Sequence, residues 1–236
     1  MEEKTEGLVL RSIDYKESDK ILTIFTPTLG KITAGIKGVR KAKSKLNFAS
    51  QPFAFCEYVL AERGGRYTVT NAYLHDGFFS LREDIIRYYA GCSVLEICDQ
   101  LLVEDGDNRA FFIATIEALK SISLGEPIEG VISFSIVALR EAGYMLDLGD
   151  CGECGKEIGV APYFDFSTGQ FYCKECAKGV RASESTYAFL RKCADLEFDE
   201  EECKGGEKRA LRLIKEYLKE KTEGEFPCLG ELVRLL

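Results

Sequence analysis

The sequence is short of the residues that most catalysis and membrane insertion require. It holds one histidine in 236 residues. That residue, His75, stands at the junction behind a strand-like run, with no nucleophile or metal motif around it, and reads as structural. No G-x-x-x-x-G-K-[ST] loop occurs, because "GVRKAKSK" lacks a lysine and hydroxyl directly after a second glycine. No G-x-G-x-x-G appears either, so an ATPase or dehydrogenase is not expected. No apolar run approaches the roughly 18 residues of a membrane span. The opening MEEKTEG also lacks the basic-then-apolar order of a signal peptide. A cytoplasmic protein with no membrane partner is the expectation. In that reducing compartment the ten cysteines are expected as free thiols or metal ligands rather than disulfides.

What is present suffices for a folded chain: 46% of residues are hydrophobic, and the length allows one large domain or two to three small ones. The formal net charge is -8, but it is unevenly spread. Residues 1–80 carry 12 Lys and Arg against 9 Asp and Glu, a balance of +3, and the remainder carries 19 against 30, a balance of -11. The cations concentrate in "GKITAGIKGVRKAKSKLNFASQPF", where Lys31, Lys37, Arg40, Lys41, Lys43 and Lys45 fall within fifteen positions. No acidic residue lies between Asp19 and Glu57. Taken alone, such a run is a solvated loop more often than a site, although binding follows local potential rather than total charge.

From Gly7 to Leu74 the texture is that of strands. "GLVLRSI", "KILTIFT", "KITAGIKG", "FAFCEYVLA" and "RYTVTNAYL" are short, partly alternating runs rich in Val, Ile, Thr, Tyr and Phe, broken by turn-like segments. Five such strands suggest a small barrel, of which the OB-fold is one candidate. At Ser80 the period changes. "SLRE" reads as a capping box, Ser80 with Glu83, in front of a helix through "DIIRYYAGCSVLEICDQLL" that the loop "EDGDN" ends. Ala110 to Leu124 and Ile128 to Ala142 follow as helices, the latter stopped by Gly143. Beyond the cysteine-rich insert, Ser183 to Asp195 and Glu207 to Lys221 are helical, the last with Leu211, Ile214 and Leu218 on one stripe. Pro227 and the amphipathic "LGELVRLL" close the chain. The division expected is a barrel over 1–79, helices over 80–147 and 182–236, and a cysteine module over 148–181, an α+β multidomain architecture.

The most specific chemical signal is "CGECG" and "CKECA": Cys151, Cys154, Cys173 and Cys176 form two C-x2-C pairs eighteen residues apart. Each pair turns two thiolates toward one metal edge, and Gly155 permits the turn. Between them "YFDFSTGQFY" reads as a hairpin with Ser167, Thr168 and Gly169 at its tip. A thioredoxin-like pair would want one motif opening a helix, so the zinc-ribbon reading leads, with one structural Zn2+ held by four cysteines and no open position for substrate. Cys56, Cys92, Cys98, Cys193, Cys203 and Cys228 are scattered, mostly on apolar stripes, and read as small hydrophobic fillers. The acidic group Asp14, Glu17 and Asp19 in "DYKESD" is the one place for a Mg2+ nuclease, against the plainer reading of a polar strand connection.

In order and spacing, Gly7, Val9, Leu10 and Arg11, then Tyr15, Glu17 and Asp19, then Thr26 and Gly30, then Lys37, Gly38, Arg40 and Ser44 resemble the N-terminal pattern of the bacterial RecO family of recombinational DNA repair proteins. The similarity continues through "REAGYMLDL" and the C-x2-C pairs to "LRLIKEYL". The resemblance implies an OB-fold, a helical domain and a zinc module. It implies a non-enzymatic, nucleoid-associated mediator that binds single-stranded DNA and anneals strands. It also implies that, with RecR, such a protein loads RecA on DNA coated by single-stranded DNA-binding protein. OB-folds grip single strands with a cationic groove and aromatic platforms. Arg11, Lys31, Lys37, Arg40, Lys41, Lys43 and Lys45 are therefore the candidate DNA-binding residues. Tyr67 and Tyr73 are candidate platforms for which a core position is the stronger expectation. The alternative is a zinc-ribbon scaffold in a transcription or repair complex, acting through protein contacts.

Overall fold

The computed structural model describes residues 2–102 and 108–236. Glu104 to Asp107, most of the loop expected to end the first helix, lie outside those residues. Five strands, β1 (Glu2–Tyr15), β2 (Asp19–Thr26), β3 (Gly30–Ile36), β4 (Phe55–Arg63) and β5 (Arg66–Asp76), close into a barrel in the order β1-β2-β3-β5-β4. β1 serves two neighbours, since Glu2 to Leu8 pair with β4 and Leu8 to Tyr15 pair with β2. A bulge between Val9 and Arg11 bends it from one partner to the other. The ladders are antiparallel except where Ala34 to Ile36 run parallel to Tyr67 to Val69. This is the five-stranded barrel of an OB-like fold.

Alternation fills the barrel with Val9, Leu22, Ile24, Ile32, Ala34, Ile36, Leu60 and Val69. At Gly7 a Cβ would stand 2.6 Å from Ile24 Cγ2, so only glycine lets β1 pass that close. The connection from β3 to β4 is held to this interior at two points. Val39 and Ala49 are both buried in it, and Tyr58 Oη donates to the Ala49 carbonyl at 2.8 Å. The basic segment is therefore a tethered loop between two anchors.

The capping box does not form. Phe79–Arg82 make a 3-10 turn entered through Phe78 in the left-handed region, and the helix starts only at Ile85. Asp84 caps it, its carboxylate accepting from Arg87 N at 2.9 Å. The turn places Phe78 and Leu81 in the core, where both are buried. The helices are α1 (Ile85–Leu101), α2 (Arg109–Leu124) and α3 (Pro127–Glu141). After the cysteine module, with β6 (Tyr163–Asp165), β7 (Gln170–Tyr172) and β8 (Val180–Arg181), come α4 (Glu184–Cys193), α5 (Glu200–Cys203), α6 (Glu207–Thr222) and α7 (Pro227–Leu235). Among the described residues no helix is long and apolar enough to cross a membrane.

The barrel interior is one hydrophobic cluster and the helices form another, which Leu8, Leu10, Phe25 and Phe53 join from the barrel side. Phe25 of β2 meets Phe111 and Phe112 of α2 edge-on, at centroid distances of 5.7 and 5.1 Å, and Phe55 of β4 meets Phe112 at 5.8 Å. Replacing Tyr58 with Phe strands the buried Ala49 carbonyl, and urea unfolding is expected to show a loss of about 1–3 kcal/mol. Limited trypsin digestion of the same variant is expected to cut the Lys41–Lys45 stretch faster.

Candidate nucleic-acid interface and metal centre

The basic loop owes its shape to an acidic residue outside it. Asp19, at the start of β2, accepts from Gly38 N at 2.8 Å, and that amide is the main reason its pKa lies below the ordinary 3.8. Gly38 has φ +65, which presents its N–H to the carboxylate without a Cβ penalty. Arg40 N then donates to the Ser18 carbonyl at 3.0 Å, so the loop lies along the β1–β2 turn. Ser44 N to the Lys41 carbonyl, 2.9 Å, closes the next turn.

The seven candidate cations fall into two sets. Arg11 and Lys31 converge on Asp99 of α1: Arg11 Nη2 lies 2.7 Å from Oδ2, and Lys31 Nζ donates to the Asp99 carbonyl at 2.7 Å with Oδ1 at 3.4 Å. Arg40 pairs with Asp14 at 3.0 Å. Lys37, Lys41, Lys43 and Lys45 are exposed, and among the described residues no carboxylate comes within 4.0 Å of any of them. Nothing in the sequence marks Asp99 as a partner for two strand residues, because the pairing depends on where α1 lands on the barrel.

The acidic group of "DYKESD" does not converge as a metal site. Asp14 is turned to Arg40 and to Lys20, 4.0 Å away, while Asp19 holds Gly38. Tyr67 is half-buried against the barrel interior, as expected, but Tyr73 is exposed, with its Oη accepting from Asn71 Nδ2 at 3.1 Å. A register shift in the β4–β5 ladder is the cause. Val59 pairs with Asn71 and Leu60 with Val69, so Thr70 is extra and the residues from Asn71 to Leu74, Tyr73 among them, change face.

The four cysteines of the two C-x2-C pairs come together, with their sulfurs all within 4.8 Å of one another. They can hold a metal ion, and no other group of His, Cys, Asp and Glu ligand atoms does so among the described residues. Gly155, at φ +65, completes the first knuckle by donating its N–H to the Cys151 carbonyl at 2.9 Å; Cys176 N donates to the Cys173 carbonyl at 3.2 Å in the second. Four thiols joined through ~2.3 Å bonds at a tetrahedral centre would have sulfurs about 3.8 Å apart. Cys154 and Cys173 stand at 3.8 Å. Desolvation opposes a Cys151 thiolate, but N–H groups of Cys154, Cys173 and Glu153 outweigh it and bring its pKa to about 6.

The module is fastened to the helices by tyrosines. Tyr187 of α4 donates to the Leu148 and Gly149 carbonyls at 2.9 and 2.7 Å, and Tyr217 of α6 to the Met145 carbonyl at 2.7 Å. Phe171 lies tilted against Tyr187 at 4.8 Å, and Phe164 meets Tyr217 edge-on at 5.4 Å. Gly169, at the hairpin tip with φ +74, has no room for a Cβ beneath Tyr217 and the Met145 carbonyl, both 2.2 Å from where it would lie.

Two family profiles cover the chain: Recombination protein O N terminal matches residues 1–78, and Recombination protein O C terminal matches residues 82–228. The chain belongs to the RecO family. The DNA repair protein RecO of Clostridium novyi is 32% identical over 196 residues, covering 80% of this chain and 75% of the relative. The protein of the same name from Caldicellulosiruptor bescii is 31% identical over 175 residues, with 73% and 71% covered. That from Acetivibrio thermocellus is 29% identical, also over 175 residues, with 73% and 70% covered. The chain is thus a DNA repair protein of the RecO family, with an OB-like barrel, a helical C-terminal region and a four-cysteine cluster.

If Asp19 organises the basic loop, Asp19→Asn, which weakens the acceptor, should raise hydrogen exchange at Gly38 about tenfold at neutral pH. The contact stabilises the charged form, so its contribution is full above the ordinary 3.8 and is lost as pH falls through the lowered value. A variant with wild-type exchange at Gly38 would remove Asp19 from this role.

Proposed function

We propose that the protein is a recombination mediator that binds single-stranded DNA on its barrel through Lys37, Lys41, Lys43 and Lys45. The observation that carries this reading is that, among the described residues, none of the four forms an ion pair within 4.0 Å on this exposed, tethered loop, while Arg11, Lys31 and Arg40 are each drawn to an acidic partner. The paired three are secondary contacts, available to phosphate only in competition with Asp99 and Asp14. Exposed Tyr73 is a stacking platform of the kind OB-folds offer to bases. Annealing needs no nucleophile, because neutralised phosphates repel less while the bases stay free to pair. With RecR, such a protein loads RecA on DNA coated by single-stranded DNA-binding protein. The acidic helical and cysteine regions, with their balance of -11, suit these protein contacts better than a DNA track.

The metal of the four-cysteine cluster is zinc in this reading. A donor set of four thiols within 4.8 Å of one another favours it, and saturation by protein ligands assigns it to folding. When bound it joins the two knuckles and so stiffens the platform that Tyr187 and Tyr217 hold to α4 and α6. The same acidic balance also favours a second reading, a scaffold that works by protein contacts alone.

Gel shifts with a short single strand, with and without RecR, separate the two. Four lysines on phosphate give a slope of log K against log salt near -3, and Lys41→Ala, Lys43→Ala and Lys45→Ala together reduce it by about 2. Salt-independent affinity, or wild-type annealing by the triple variant, would sink the assignment. For the metal, denaturation in the presence of a chromogenic chelator is expected to release about one zinc per chain, and metal stripping is expected to lower the melting temperature. Unchanged stability after complete removal would refute a structural zinc.

A further inference from the structure

The turn that joins the barrel to the helices sends two adjacent aromatic side chains to opposite sides. Asp76, at the end of β5, accepts from Phe78 N at 2.7 Å, and Phe78 is held in the left-handed region at φ 44 and ψ 45. Phe78 enters the core with 2% of its surface exposed, while Phe79 stands outside with 65% exposed. A bulky residue at positive φ is a strained arrangement. It is the step that sets the two rings on opposite sides.

Phe79 is exposed but not loose. Its ring lies over Gly77, where a Cβ would come within 2.6 Å of the ring's Cε2, so a larger residue there would displace it. The Arg82 guanidinium stands 5.7 Å from the centre of the same ring and 5.4 Å from that of buried Phe53. Arg82 is itself pinned, with Nη1 donating to the Gly77 carbonyl at 3.1 Å and Nη2 to the Pro52 carbonyl at 2.8 Å. Among the described residues no carboxylate lies within 4.0 Å of that guanidinium. The ring is thus backed by a glycine and an uncompensated cation.

Pro52 also ties this turn to the connection that carries the lysines. It lies seven residues beyond Lys45, no more than about 25 Å along the chain, and Phe79 lies six beyond Tyr73, no more than about 21 Å. An exposed aromatic by itself is ordinary. A fixed ring on a positive support, within reach of an unpaired lysine run and an exposed tyrosine, offers what a nucleotide needs: a π-face for the base and a cation beside it for the phosphate.

We propose that Phe79 is a second stacking platform for single-stranded DNA, continuing the bound strand from the barrel onto the turn before α1. This rests on the reading of the barrel as a single-stranded DNA surface and extends its path to the place where barrel and helices join. Stacking on a bare π-face accepts any base, so the contact adds affinity without sequence preference.

The test uses the full-length protein as purified and a short oligothymidylate. The chain contains no tryptophan, so Phe79→Trp supplies its one indole. Titration with the oligonucleotide should quench that emission, with a midpoint matching the gel-shift affinity. Phe79→Ala should weaken binding about tenfold while the slope of log K against log salt keeps its wild-type value, because a stacking contact is lost and no phosphate contact is. Phe79→Leu, which keeps apolar surface but has no π-face, should bind as weakly as Phe79→Ala. Unquenched emission from a protein that still binds the oligonucleotide overturns the proposal and leaves the barrel reading standing. Recovery of affinity in Phe79→Leu does the same, as does wild-type affinity in Phe79→Ala, which would give the ring to a protein contact. Failure of the wild-type protein to bind the strand removes both. The quench is read with an aromatic ring in place and so needs no truncation to be tolerated.

Discussion

Asp99 decides which cations of the barrel are spent on the fold and which remain outside it. It reaches from α1 to Arg11 on β1 and Lys31 on β3, one carboxylate against two strands that are not neighbours in the barrel. The apolar counterpart is Phe25 lodged against Phe111 and Phe112. Together a charged clamp and an aromatic wedge set the barrel on the helices in one orientation. Burial supplies the free energy and the ion pairs supply direction, because apolar contact alone tolerates sliding.

The barrel was the most legible part of the sequence, since alternation with turn-forming breaks encodes both strand position and inward face, and Leu22, Ile24, Ile32 and Ile36 are buried as the pattern requires. Tyr73 shows where that code fails. A single extra residue at Thr70 inverts the faces from Asn71 to Leu74, and nothing in local composition announces a bulge. Ser80 and Glu83 fail for a different reason. Their spacing fits a cap, but burying Phe78 and Leu81 outweighs the roughly 1 kcal/mol a cap contributes, and Asp84 serves instead. The two-residue β8 and four-residue α5 are too short to carry a period at all.

The cysteine cluster divides in the same way. Its ligands are legible because chelation by two knuckles demands a fixed local spacing, and the four sulfurs meet as that spacing requires. Its seat is not legible, since Tyr187, Arg191 and Tyr217 reach Leu148, Gly149 and Met145 from helices 38 to 72 positions later. Contacts of long sequence separation are consequences of packing, and a sequence displays only their two ends.

Net charge is the measure least suited to this chain. Screening at physiological ionic strength reaches about 8 Å, so an approaching anion responds to the groups nearest it and not to a total of -8. Within the basic stretch the effective charge is smaller than a count of cations implies. Arg40 is offset by Asp14, and Lys31 by Asp99, while Lys37 lies close enough to Asp19 to help lower its pKa. What remains is a run of alternate lysines, Lys41, Lys43 and Lys45, on a loop whose carboxylate support points inward to Gly38 rather than outward to the ammonium groups. Asp19 thus does two things with one charge. It shapes the loop through a backbone amide, and by binding an amide in place of an ammonium group it leaves those lysines uncompensated.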